Sequence, residues 1–195
     1  RALFEIIDGI NNLDIKPMGI AVRLNAFDSD PFPYGYGIVK DGNNLKADLT
    51  ETIHLCNLLN EKGVKLINIS ASSPSSRVFG LDPINSAYKK YASSTDLLTA
   101  VKLLKEQIPE VTFMCTGLSS FGSLGANIGA GGITDGWFDI AGFGRQALAY
   151  PEFANDILKH SYMDDKRTCV DCGNCFKLMD PGHCMTGCIV RDREI

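Results

Sequence analysis

Apolar residues recur along this chain in two rhythms, a helical spacing near ~3.6 residues and short unbroken runs of strand length. Residues 1–12 place Leu3, Phe4, Ile7 and Ile10 at helical spacing. The run Gly19-Ile-Ala-Val-Arg-Leu24, bounded by Pro17 and by the polar stretch Asn25 to Asp30, predicts a buried parallel strand. A loop rich in Gly, Pro, Asn and Asp is expected over 28–47. Asp48, with Glu51 three positions on, has the capping-box spacing and opens a helix that runs to Lys62 and stops at Gly63. Val64 to Ser70 reads as a second strand. The polar stretch from about Ala71 to Ala92 is expected as a loop long enough to be functional or disordered. Ser93–Gln107 predicts an amphipathic helix on Leu97, Leu98, Val101 and Leu104, stopped by Pro109. Val111–Thr116 is the third strand, and a Gly/Ser-rich helix or loop follows to Gly136. Phe138–Gly144 is the last strand, and a helix from Phe153 to Tyr162 closes the pattern.

One helix followed by four rounds of strand and helix makes this an α/β chain with a parallel sheet and right-handed crossovers. Four such units are too few for a closed eight-stranded barrel, which takes about 250 residues. They suit a small doubly wound sheet or half of a barrel. The 195 residues, 45% hydrophobic and 22% charged, are enough to bury a core. A net charge of −4 argues against nucleic acid and against an anionic membrane surface as partners. No apolar run approaches the roughly 20 residues of a membrane span, and no signal peptide precedes the first helix. The chain opens on Arg1 instead of Met, as trimming or a longer parent polypeptide would leave it. A cytoplasmic, reducing setting is therefore expected, in which clustered cysteines serve as ligands more readily than as disulfides.

Ligands of parallel α/β folds bind at the carboxyl ends of the strands. Arg23 interrupts the first apolar run. It reads equally as a solvent-facing edge arginine or as a guanidinium aimed at an electron-rich ligand atom. The third strand ends Cys115-Thr-Gly117-Leu118-Ser119-Ser120 and the fourth Gly142-Phe143-Gly144-Arg145-Gln146. Each alone reads as a tight turn. As a pair, with Arg145 beside the second, they point to a phosphate. Arg77 and Tyr88 in the long loop are candidates for a pocket wall or for a plain solvated loop.

Five of the seven cysteines fall within twenty residues of the tail. Cys169-x2-Cys172-x2-Cys175, with Cys188 after twelve intervening residues, has the form of an iron–sulfur segment, three thiolates on one loop and a distant fourth. Cys184 makes a competitor: Cys169-x2-Cys172 with Cys184-x3-Cys188 is a two-plus-two arrangement suited to structural zinc, leaving Cys175 spare. His183 beside a glycine is left aside as a solvent-exposed loop histidine. Cys56 and Cys115 read as core thiols, and His54 and His160 as surface residues.

Taken together, Gly19-Ile-Ala-Val-Arg23-Leu, Leu66-Ile-Asn-Ile-Ser70, Trp137-Phe-Asp-Ile-Ala-Gly-Phe-Gly144-Arg145 with Tyr150-Pro151, and the cysteines resemble the old yellow enzyme family of FMN-dependent NADH:flavin oxidoreductases. The similarity is strongest to the branch with a cysteine-rich segment after the barrel, which includes trimethylamine dehydrogenase and 2,4-dienoyl-CoA reductase. It implies that residues 1–163 form the C-terminal half, strands five to eight, of a (β/α)8 TIM barrel, and that 164–195 form a cluster-binding tail. It implies that Arg23 contacts the flavin ring, that Gly117 and Leu118 offer amides to the FMN phosphate, and that Gly144 and Arg145 complete that site. It implies a [4Fe–4S] cluster on Cys169, Cys172, Cys175 and Cys188, NAD(P)H as electron donor, and an electron-poor small-molecule substrate such as an α,β-unsaturated carbonyl. The family's proton donor and its substrate-anchoring His/His or His/Asn pair belong to a first half that this sequence lacks, so the partner expected is that half-barrel or a second copy. The competing expectation is a non-catalytic assembly or binding module with a structural zinc.

Overall fold

Four parallel strands, laid side by side in their order along the chain, carry the architecture. The computed structural model describes residues 2–14, 16, 18–28, 35–41, 44–71, 86–179 and 186–192. Helix α1 (Ala2–Asn11) precedes β1 (Ala21–Asn25), and β2 (Ile38–Asp41) and β3 (Asn44–Ala47) form a separate antiparallel hairpin. Then come α2 (Thr50–Glu61), β4 (Leu66–Ser70), α3 (Ser86–Gln107) and β5 (Thr112–Thr116). A 3-10 segment, Leu118–Leu124, leads into α4 (Gly125–Thr134), followed by β6 (Ile140–Gly142), α5 (Arg145–Ala149) and α6 (Phe153–His160). A last 3-10 turn covers Asn174–Met179. The main sheet has the order β1-β4-β5-β6 with every pairing parallel, so the predicted α/β class with a parallel sheet is what forms. Among the described residues no helix is long and apolar enough to cross a membrane.

The two faces of that sheet differ. In parallel register, Val22, Ile67 and Phe113 share one row, and Leu24, Ile69, Cys115 and Ala141 share another. Ile67, Ile69, Phe113 and Cys115 are buried to within about a percent, and they build the core with Cys56 and Leu59 of α2 and Leu97, Val101 and Leu104 of α3. Burying each such side chain contributes about 1.5–3 kcal/mol. The opposite face carries the row Arg23, Asn68, Met114, Ile140, none of which is buried.

The helices stop and start for local reasons. Asp48 accepts hydrogen bonds through Oδ1 from the Thr50 amide at 3.0 Å and from the Thr50 hydroxyl at 2.6 Å, an Asx-type turn that leads the chain into α2. At the other end Gly63 takes φ 87, its N–H bonds the Asn60 carbonyl, and the Val64 N–H bonds that of Leu59. This is the double closure of a Schellman motif, with the buried Val64 and Leu59 as its apolar pair. Lys62 ties α1 to this corner through Asp8 at 2.6 Å. In α4, Gly129 and Gly132 let the helix sit directly on Ala141 and on the Phe138 ring. Just before β6, Trp137 packs against the core with Lys102 Nζ 4.9 Å from its ring centre.

Three expectations need correction. The stretch 28–47 is not all loop, since it contains the β2–β3 hairpin. Helix α3 begins at Ser86, not Ser93, and so takes in part of the expected 71–92 loop. The segment 145–149, left between the last strand and the last helix, is itself helical.

Candidate functional site

Two polar clusters lie at the carboxyl ends of the strands. The first grows from β1 and β4. Arg23 Nε donates to Ser70 Oγ at 3.4 Å, and Ser70 Oγ donates to Asn25 Oδ1 at 2.7 Å. Asn25 Nδ2 donates to Asp28 Oδ1 at 3.3 Å, while Asp28 Oδ2 accepts the Tyr36 N–H at 3.2 Å. The Tyr36 hydroxyl closes the ring on the Asn25 carbonyl. Burial, reinforced by the Asp28 charge, pushes the Tyr36 phenol up to about 12, so it stays a donor. Nearby, the Thr116 hydroxyl donates to Asn68 Oδ1, and Asn68 is the register neighbour of Arg23. Arg23 thus stands exposed at the head of a hydrogen-bonded chain, in the strand row opposite the core face.

Asn25, Asp28, Tyr36, Asn68, Ser70 and Thr116 were not singled out by sequence. The signal for three of them was present. Asn25 two residues from Arg23, and Asn68 two residues from Ser70, are polar positions in otherwise apolar strands, which places each pair on one face. Asp28 and Tyr36 come together only through loop folding, which no spacing announces.

The second cluster joins the turns after β5 and β6. Gly117, at φ 137, donates its N–H to the Gly142 carbonyl at 3.4 Å, long for an amide hydrogen bond. Leu118 is buried in the core, and Ser119 Oγ accepts the Gln146 N–H at 3.1 Å. Arg145 Nη2 donates to Ser120 Oγ at 3.2 Å, and its Nη1 pairs with the Asp171 carboxylate of the tail. Gly117, Leu118, Gly144 and Arg145 are therefore gathered in one place. Arg23 lies two strands away on the same sheet. Arg145, expected at a phosphate, is engaged with the cysteine loop.

That loop folds back onto α5. Asp171 at φ 56 and Gly173 at φ 71 curl the Cys169-to-Cys175 segment through two left-handed residues. Arg191 Nε donates to the Thr168 carbonyl at 3.1 Å and draws the last described segment back beside the first cysteine. As a result Cys169, Cys172, Cys175 and Cys188 line one cavity together with Arg145. All four are free thiols. Burial raises the Cys169 thiol, opposed by the Asp171 N–H 3.4 Å from its sulfur and by the Arg145 guanidinium. Among the described residues no group of three or more His, Cys, Asp or Glu is arranged to hold a metal ion. The donor set itself, four soft sulfurs with a cation beside them, suits an iron–sulfur cluster or zinc over hard, oxygen-seeking ions. Arg77, His183 and Cys184 lie outside the described residues, and of Tyr88 only the helical backbone is described. No protein-family model matches this chain, and no curated protein matches it.

Proposed function

We propose that this chain is part of an FMN-dependent oxidoreductase of the old yellow enzyme type, with the tail cysteines as the seat of an iron–sulfur cluster. The observation that carries the reading is the convergence of Cys169, Cys172, Cys175 and Cys188 on one cavity against α5, whose Arg145 also grips the turn after β5. Two further features support it. Strand order runs without the reversal that marks a doubly wound sheet, as four consecutive strands of a (β/α)8 barrel would. Among the described residues the core lies on one face of the sheet, while the Arg23–Asn68–Met114–Ile140 row on the other is not buried, and that face would be the barrel interior.

In this reading residues 1–163 are strands five to eight of the barrel and 164–195 the cluster segment. FMN, when bound, supplies hydride transfer between NAD(P)H and an electron-poor substrate such as an α,β-unsaturated carbonyl. The chain's own part is placement and charge. Arg23, held through Ser70 and Asn25, presents a fixed positive charge to the flavin ring. Leu118 offers its main-chain amide to the phosphate, Gly117 joins it by exchanging its long bond to the Gly142 carbonyl for one to the phosphate, and Gly144 leaves the approach open, since a side chain there would meet nothing within 4 Å. The first half-barrel, or a second copy, supplies what this chain does not carry.

The test is elemental and flavin analysis of the chain purified anaerobically after growth with iron, then passed over a sizing column with excess FMN. About four irons with matching sulfide per chain and retained FMN are expected. One zinc without sulfide and no retained flavin would instead make the chain a zinc-braced binding module and overturn the proposal.

A further inference from the structure

The first cysteine of the tail is held by a side chain from outside the tail. Gln146, second residue of α5, is wholly buried, and its Oε1 accepts the Cys169 N–H at 3.0 Å. Of the two amide ends only the oxygen can accept, so this bond fixes which way round the carboxamide sits. Its Nε2 is buried with no hydrogen-bond partner. A residue kept for packing alone would be Met or Leu, which fill the space without stranding a donor. The Gln146 main chain is fixed in turn by Ser119. Arg145 repeats the bridge one residue earlier, from Ser120 to Asp171, and the Asp171 N–H reaches the Cys169 sulfur at 3.4 Å. Cys169 is therefore held at two points, its own amide by Gln146 and its sulfur by Asp171.

We infer that Gln146 is a positioning residue for the thiol centre. By fixing the Cys169 amide it sets the direction in which that sulfur enters the shared cavity, and it hands the rigidity of the β5 and β6 turns to the cysteine loop. The inference rests on the reading of the four thiols as a metal or cluster site. Ligand geometry tolerates errors of only about half an ångström, so a brace on the first ligand's backbone acts on the whole centre.

The experiment compares the reduced 195-residue chain with its Gln146→Met and Gln146→Glu variants by titration with Co2+ alone, whose visible bands report thiolate number and geometry. The wild-type chain gives thiolate–cobalt bands. Gln146→Met, which keeps the volume and removes the acceptor, binds Co2+ at least tenfold more weakly with an altered band pattern, the scale usual for an outer residue that orients a ligand. Gln146→Glu, which restores an acceptor oxygen, recovers the wild-type pattern, as a merely space-filling residue would not require. Equal affinity and spectrum in Gln146→Met overturn the inference while leaving the thiol site standing. A wild-type chain without thiolate bands overturns the metal reading beneath it. Amide hydrogen exchange needs neither metal nor variant: Cys169 and Asp171 must be protected in the wild-type chain, and a freely exchanging Cys169 amide overturns the brace.

Discussion

Gly132 faces Phe138 so closely that a methyl group on its Cα would lie 2.3 Å from the ring. Gly131→Ala and Gly132→Ala are therefore opposite experiments on adjacent residues. The first enters open space on an exposed helix position and should raise stability by about 0.5–1 kcal/mol. The second forces α4 off the sheet and should cost about 1–3 kcal/mol. Thermal unfolding of the pair checks both signs. The buried thiols make a second residue-scale prediction. Burial pushes Cys56 and Cys115 up to about 12, against about 8.5 in an unfolded chain. Each is thus protonated in the fold at a pH where the unfolded chain has released the proton. Their contribution is fully present below about pH 8.5 and is lost as pH rises toward about 12, at up to ~1.4 kcal/mol per pH unit for each thiol. Urea unfolding across that window should fall less steeply for Cys115→Ala than for the wild-type chain. In the native protein an alkylating agent should reach Cys172, which is exposed, well before either. The core role of these two cysteines was legible because Cys56 sits among Ile53, Leu55 and Leu59 on a helix and Cys115 ends an apolar strand. The role of the α4 glycines was not, since a glycine in sequence does not say what approaches it.

At the scale of elements, α2 is entered through a turn held by one carboxylate. Asp48→Ala removes the acceptor for the Thr50 amide and hydroxyl and should cost about 1 kcal/mol, read as a lower urea midpoint with an unchanged slope. This helix was legible in full, with Asp48 before it and Gly63 after it. So were β1, β4 and β5, where short, mostly apolar runs sit between turn residues. What escaped had weaker periodicity or none. Asp41-Gly42-Asn43-Asn44 has hairpin turn chemistry, but its flanks, Ile38-Val39-Lys40 and Leu45-Lys46-Ala47, alternate too briefly to outweigh the surrounding glycines and prolines. The start of α3 escaped because its apolar spacing begins only at Leu97. Helix α5, five residues long, is shorter than two helical turns and has no period to detect. That shortness hid the element which links the strand-end turns to the cysteine loop, so the cysteines were legible as a set while their brace was not.

For the molecule as a whole, the sheet's asymmetry matters most. Helices cover the Val22–Ile67–Phe113 face, and the Arg23–Asn68–Met114 face stays partly open, with β1 and β6 as the sheet's outer strands. An open parallel sheet is rarely stable bare, because such sheets are normally covered on both sides. A complementary half-barrel or a second copy is the cover that the proposed function calls for. The candidate chemistry all sits at one rim of this sheet, the carboxyl ends of its strands. At the other end of β6 stands Trp137, the chain's only tryptophan, beneath the Lys102 ammonium. The protein therefore carries its own optical division of labour. Ultraviolet emission from Trp137 follows the fold at one rim, and visible absorption of any chromophore gathered by the thiols or the strand-end turns follows the other. A single cuvette can then tell a lost prosthetic group from a lost fold.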